Sequence, residues 1–96
     1  MTILVKYPPS IIPVPACPTT LVRVIGGSGY TLRIRSYDMF TNQLIGESTQ
    51  NITSSDQEFT VTWATPTSRT IILAVLEVID ANGNVVEKWQ QPFIYV

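Results

Sequence analysis

From Thr19 to the C-terminus, apolar side chains return at every second position, as in FTVTW (Phe59 to Trp63), and turn residues break the alternation every eight to twelve positions. A period of two puts successive side chains on opposite faces of an extended chain, so the pattern describes half-buried strands. No window sustains apolar residues at i, i+3, i+4 and i+7, and no helix is expected. The strands expected are Thr20 to Ile25, Tyr30 to Tyr37, Gln43 to Thr49, Glu58 to Ala64, Thr70 to Ile79 and Val85 to Gln90, with a short FIYV closing the chain. Short strands at this spacing define an all-β fold, an antiparallel sandwich of about seven strands. The 96 residues suffice for one such domain. A chain of this size buries on the order of 10,000 Å² when it folds, enough for a core without disulfides.

The segment IDANGNVV, Ile79 to Val86, is the sharpest local signal. Asn82-Gly83 favours a two-residue type I′ turn, because both central positions need positive φ. That turn makes paired residue numbers sum to 165, which sets Glu77 opposite Lys88 and Leu76 opposite Trp89. Cross-strand partners share a face, so an ion pair is expected on one side and a large apolar pair on the other. Ile72, Ala74, Leu76 and Val78 then point inward, while Ile71, Leu73, Val75, Ile79 and Val86 share the outer face with the charges. A sheet with one wet face does not carry so many apolar residues outside. A second sheet, the N-terminal segment or another subunit is expected to cover them.

The remaining alternation is more ordinary. Phe59, Val61 and Trp63 point inward against Thr60 and Thr62, and Tyr30, Leu32 and Ile34 against Thr31, Arg33, Arg35 and Tyr37. The two arginines are expected on a solvated face, paired with Glu47 or Glu58. Gly26 to Gly29 (GGSG) lacks the Lys-Ser/Thr ending and the following helix of a phosphate loop, so it is expected as a hairpin loop. Asn51 to Gln57 is a polar loop.

Lys6 to Pro18 (KYPPSIIPVPACP) holds five prolines among thirteen residues, with Tyr7, Ile11, Ile12, Val14 and Cys17 between them. Proline fixes φ and lacks an N–H, so this stretch can be neither helix nor central strand. It is expected as an extended proline-rich arm over residues 1–18, attached to a sandwich domain over residues 19–96, with TILVKY as an added strand at its start. An arm with so many apolar side chains needs a surface to lie on. The candidate partner-binding residues are therefore Tyr7, Pro8, Pro9, Ile11, Ile12, Pro13, Val14 and Pro15, together with Ile71, Leu73 and Val75 of the outer face.

No catalytic chemistry is expected. There is no histidine and one cysteine, which excludes histidine-based triads, an internal disulfide and cysteine zinc sites. The carboxylates Asp38, Glu47, Asp56, Glu58, Glu77, Asp80 and Glu87 show neither a paired acid motif nor the ligand spacing of a calcium loop, and Ser55, Asp56 and Glu58 offer too few oxygens. No cofactor and no metal are expected. A net charge of −1 gives no footprint for nucleic acid, and no apolar run is long enough to span a membrane. Val14 to Cys17 (VPAC) is similar to a bacterial lipobox. The apolar region before it is cut by Pro8, Pro9 and Pro13, so an unprocessed chain made in the cytoplasm is expected. Charged residues are 14% of the chain, against about 25% in an average domain, which suits a surface held against neighbours.

LAVLEVIDANGNVV and the FTVTW strand resemble immunoglobulin-like and fibronectin-type sandwich modules over Phe59 to Trp89, without the paired cysteines of antibody domains. The resemblance implies a sandwich and no function. An extended arm, a small uncharged β domain and no catalytic residues together resemble the minor structural proteins of bacteriophage particles, such as capsid decoration, cement or tail components. That likeness implies a non-enzymatic subunit of a virion whose partners are protein subunits, a second copy of itself included. The alternative left open is an adhesive module on an extracellular surface, recognising carbohydrate or protein.

Overall fold

In the computed structural model, which describes residues 1–96, the alternation resolves into eight strands and no helix. These are β1 (Thr2–Lys6), β2 (Ile11–Ile12), β3 (Thr19–Ile25), β4 (Thr31–Asp38), β5 (Leu44–Asn51), β6 (Asp56–Thr62), β7 (Thr70–Ile79) and β8 (Val85–Tyr95). They form two sheets, one in the order β1-β3-β6 and one in the order β2-β8-β7-β4-β5. Every pairing is antiparallel except that of β2 with β8. One core lies between the sheets. Val22, Val24, Phe59 and Val61 come from the first sheet, and Leu32, Ile72, Leu76, Val78 and Phe93 from the second. Trp63 anchors one end, its ring edge-on to Phe93 at 5.3 Å and its Nε1–H donating to Thr20 Oγ1 at 3.1 Å, which satisfies the one polar atom it buries.

The first eighteen residues are not a separate arm. β1 pairs with β3 from Thr2↔Ile25 to Lys6↔Leu21, and β2 lies parallel to β8 with Ile11↔Ile94 and Ile12↔Tyr95. Between them Tyr7, at φ +50°, and Pro8-Pro9 turn the chain from one sheet to the other. Prolines cannot donate but still accept, so this stretch meets β8 mainly through its carbonyls, and Pro9 O accepts from Gln91 Nε2 at 3.0 Å. Ile94 N–H donates to Ser10 O, Val96 N–H to Ile12 O and Val14 N–H to Val96 O, all at 2.8–2.9 Å. The proline stretch is a corner between sheets, held along the β8 edge.

The β7–β8 connection departs from the expected type I′ turn. Gly83 alone takes positive φ, at +86°. Gly83 N–H donates to Asp80 O and Asp80 N–H to Asn84 O, so Ala81, Asn82 and Gly83 form a three-residue loop with glycine in the left-handed position. Asp80 decides this, because its Oδ1 accepts both the Asn82 and Asn84 N–H groups at 2.9 Å. The closing pair Ile79↔Val85 sums to 164, and an irregularity at Val78/Ile79 restores 165 for the rest of the hairpin. Longer loop and bulge cancel, so the inferred facing holds although the turn type does not. FIYV is likewise no separate strand, since β8 continues through Pro92 opposite Leu73. β2 pairs only with Ile94 and Tyr95, so the Pro92 nitrogen faces an unpaired edge where no donor is needed.

The folded chain exposes 5465 Å². A monomer of this mass should expose about 5,500 Å², so the core closes within one chain and the question of partners falls on the surface.

Candidate interaction face

The two sheets have very different outer faces. Outside β1-β3-β6 lie Thr2, Lys6, Thr19, Arg23, Asp56, Glu58, Thr60 and Thr62, with Leu4, Leu21 and the half-buried Ile25 as the apolar exceptions, and Arg23 Nε donates to Asp56 Oδ1 at 2.8 Å. That is an ordinary wet face. Outside β2-β8-β7-β4-β5 the registers stack two apolar rows across the strands. Ile11, Ile94 and Ile71 form one, and Pro92, Leu73, Tyr37 and Leu44 the other. Met39 N–H donates to Ile71 O at 2.9 Å and carries the first row one residue past β4. Phe40, 74% exposed, projects from the turn at the same end.

The next two rows are Gln90, Val75, Arg35 and Glu47, then Lys88, Glu77, Arg33 and Thr49. Their charges are largely neutralised within the face. Arg33 Nη2 donates to Glu77 Oε1 at 2.8 Å and its Nε donates to the same oxygen at 3.2 Å. Arg35 lies 3.4 Å from Glu47 Oε2 and donates to the Tyr37 hydroxyl at 3.2 Å, the contact that does most to raise its pKa further. The expected pairing of Arg35 with Glu47 is present, whereas Glu77 is held by Arg33 from β4 and not by Lys88 across the hairpin. Both cations flank Glu77 in register, but the guanidinium fork reaches one carboxylate oxygen with two N–H groups.

The expected partner-binding residues divide. Ile11, Ile71 and Leu73 come together on this face. Ile12 is 3% exposed and Val75 4%, so both are spent within the fold, Ile12 in the core and Val75 between its strand neighbours. Val14 packs against the core. Tyr7 stands 90% exposed at the corner, Pro8 and Pro9 are half-buried there, and Pro13 and Pro15 are exposed beyond β2. Sequence reasoning missed Ile94, Pro92, Leu44, Met39 and Phe40. The signal for two of them was present: the sum of 165, carried past Gln90, pairs Ile71 with Ile94 and Leu73 with Pro92.

Two shallow clefts complete the surface. One, about 280 Å³, opens where β5 overhangs the smaller sheet, between Ser36, Gly46 and Ser48 and Thr62, Trp63 and Ala64. The other, about 430 Å³, lies between the β4–β5 turn and the β6–β7 loop and is lined by Asp38, Gln43, Thr65, Thr67, Ser68 and Thr70 among others. Asp38 is committed to structure, accepting from the Phe40 and Thr41 N–H groups and the Thr70 hydroxyl, and the Phe40 bond in particular holds its carboxyl below the usual range. A carboxylate held ionised this way is a poor general acid. Nowhere do three of the cysteine, aspartate and glutamate side chains converge on a point. Compared with known proteins, the chain matches no family model and no curated relative.

Proposed function

We propose that this chain is a non-enzymatic structural subunit that docks on neighbouring proteins through the outer face of β2-β8-β7-β4-β5. The carrying observation is the contrast between its two outer faces, one wet and one bearing two continuous apolar rows, on a chain whose core is already closed. Contiguous exposed apolar surface marks interaction sites, whereas scattered apolar residues do not. The proposed fold is immunoglobulin-like. One sheet of three and one of five, with the N-terminal strand divided between them, supports that assignment, with β1, β3 and β6 in the places of strands A, B and E and β4, β5, β7 and β8 in those of C, C′, F and G. The proposed setting is a virus or phage particle, with the chain as a decoration, cement or tail component. Mass spectrometry of purified particles from the source tests the setting, and incorporation of tagged variants tests the face. Ile94→Asp should be excluded from particles and Leu21→Asp, on the wet face, retained. Equal incorporation of both would refute docking through this face.

A further inference from the structure

We infer that the chain exchanges its first strand with a second copy, β1 of each molecule seated on β3 of the other. The fold itself selects the partner, because the five pairs from Thr2↔Ile25 to Lys6↔Leu21 are the same whichever molecule supplies β1. The outer face of the larger sheet takes no part in the exchange.

The hinge favours it. Tyr7 sits at φ +50° although it carries a Cβ, and in the left-handed region that Cβ crowds the following carbonyl oxygen. Pro8 comes next, and its ring drives the residue before it toward an extended conformation. With 90% of its surface exposed, Tyr7 gains no packing in return. Extending Tyr7 relieves both conflicts and swings β1 away from its own domain.

The two sides of the hinge separate cleanly. Pro9 O accepts from Gln91 Nε2 at 3.0 Å and Ser10 O from the Ile94 N–H at 2.8 Å, so the chain from Pro9 onward stays on β8. On the other side, β1 is an edge strand that pairs with β3 alone. Thr2, Leu4 and Lys6 are exposed, and Ile3 and Val5 pack against the core from partly buried positions. When β1 leaves, it uncovers one edge of β3 and the seats of those two side chains, and β1 of a second copy refills both. Closed and exchanged forms therefore share their strand contacts and differ in the hinge and in the entropy of association. Short, strained hinges are where such exchange arises, and it grows with concentration.

Sedimentation equilibrium of the full chain, from micromolar to near-millimolar concentration, should show the 10.7 kDa monomer giving way to a dimer. Two hinge substitutions should move that equilibrium in opposite directions. Tyr7→Gly lets the closed hinge keep its positive φ without conflict and should weaken dimerisation about tenfold or more, two hinges being relieved per dimer. Tyr7→Pro fixes φ near about −65°, forbids the closed hinge and should leave dimer at the lowest concentration measured. A mixed cross-link separates exchange from any other dimer. One chain carries Leu4→Cys and the other Arg23→Cys, both with Cys17→Ser, so a disulfide between these register partners joins two chains only when β1 of one lies on β3 of the other. The same pair placed in one chain at low concentration closes within the molecule and sets the yield to expect. A covalent heterodimer from the concentrated mixture is the expected result. Monomer at every concentration for both wild type and Tyr7→Pro would overturn the exchange, and so would a dimer whose mixed chains stay unlinked. Neither outcome touches docking through the outer face.

Discussion

Ile11 and Ile12 are neighbours in sequence and have opposite fates, which makes them a sharp test of how the proline stretch is used. If the stretch were an arm applied to another molecule, truncating either side chain would leave the isolated domain as stable as before. In the fold described above, Ile12 is 3% exposed in the core and Ile11 is 65% exposed. Ile12→Ala should therefore cost about 2–4 kcal/mol, the lost transfer energy plus a cavity that the rigid proline backbone cannot close. Ile11→Ala should stay within about 0.5 kcal/mol. At about 4–8 °C per kcal/mol for a domain of this size, the first variant should melt at least 8 °C lower than wild type and the second within a few degrees of it. Circular dichroism melts and urea titrations at a concentration that keeps the chain monomeric supply both numbers. The same logic extends to removal of residues 1–18, which strips β1 from its sheet, takes Ile12 out of the core and leaves only β3 and β6 to cover the larger sheet. Equal and small effects of the two alanine substitutions, or a cooperative transition of unchanged midpoint after the truncation, would refute the corner and restore the arm.

Three further outcomes are expected. A double-mutant cycle on Arg33 and Glu77, whose side chains are 23% and 11% exposed, should give a coupling of about 1–2 kcal/mol, between the values for exposed and buried pairs. The Glu77–Lys88 cycle should give no more than a few tenths, and the reverse order in urea denaturation would show that Arg33 is not the partner. Gly46→Ala would set a Cβ 2.6 Å from the Ala64 Cβ and should cost about 1–3 kcal/mol, part of which Ala64→Gly should return. Stability should fall at both ends of the pH range. Asp38 and Asp56 titrate lower in the folded chain, so their contribution is present above about pH 4 and is lost as pH drops through their folded values. Burial raises the Tyr95 phenol, so its contribution is present below about pH 10 and is lost as pH climbs toward the folded value, a loss that Tyr95→Phe should abolish.

How far the sequence reaches depends on whether the controlling interaction is local. The strands from Thr19 onward and their inward faces were legible because alternation and turn residues act over a few positions, and β7 was placed residue for residue. Even there the loop length differs from the expectation, because Asn82-Gly83 signals a two-residue turn whereas the Asp80 carboxylate, by holding Asn82 and Asn84, sets a three-residue loop. The outward apolar residues of β7 were legible too, and with them the need for an interaction face. Its extent was not, because Tyr37, Leu44 and Ile11 reach the face through pairings with β4, β5 and β2 that no hairpin signal announces.

The N-terminus shows the same limit from the other side. A proline-rich segment shows in sequence only what it cannot do, namely fill a ladder. Its backbone bonds to the β8 edge use Ser10 O and Ile12 O as acceptors and Val14 N–H as the one donor, and Pro9 O accepts from the Gln91 side chain. Whether such a segment lies on its own domain or on another depends on an unpaired edge far away in sequence. Here that edge is the stretch of β8 beyond Pro92, which a proline had made look like the end of a strand. The two departures from expectation therefore have one cause. Pro92 ended the expected strand too early, and the edge that receives Ile11 and Ile12 went unseen. Once β8 is carried through to Tyr95, the same step supplies both the seat of the N-terminal corner and Ile94, the residue that joins Ile11 to Ile71 across the apolar face.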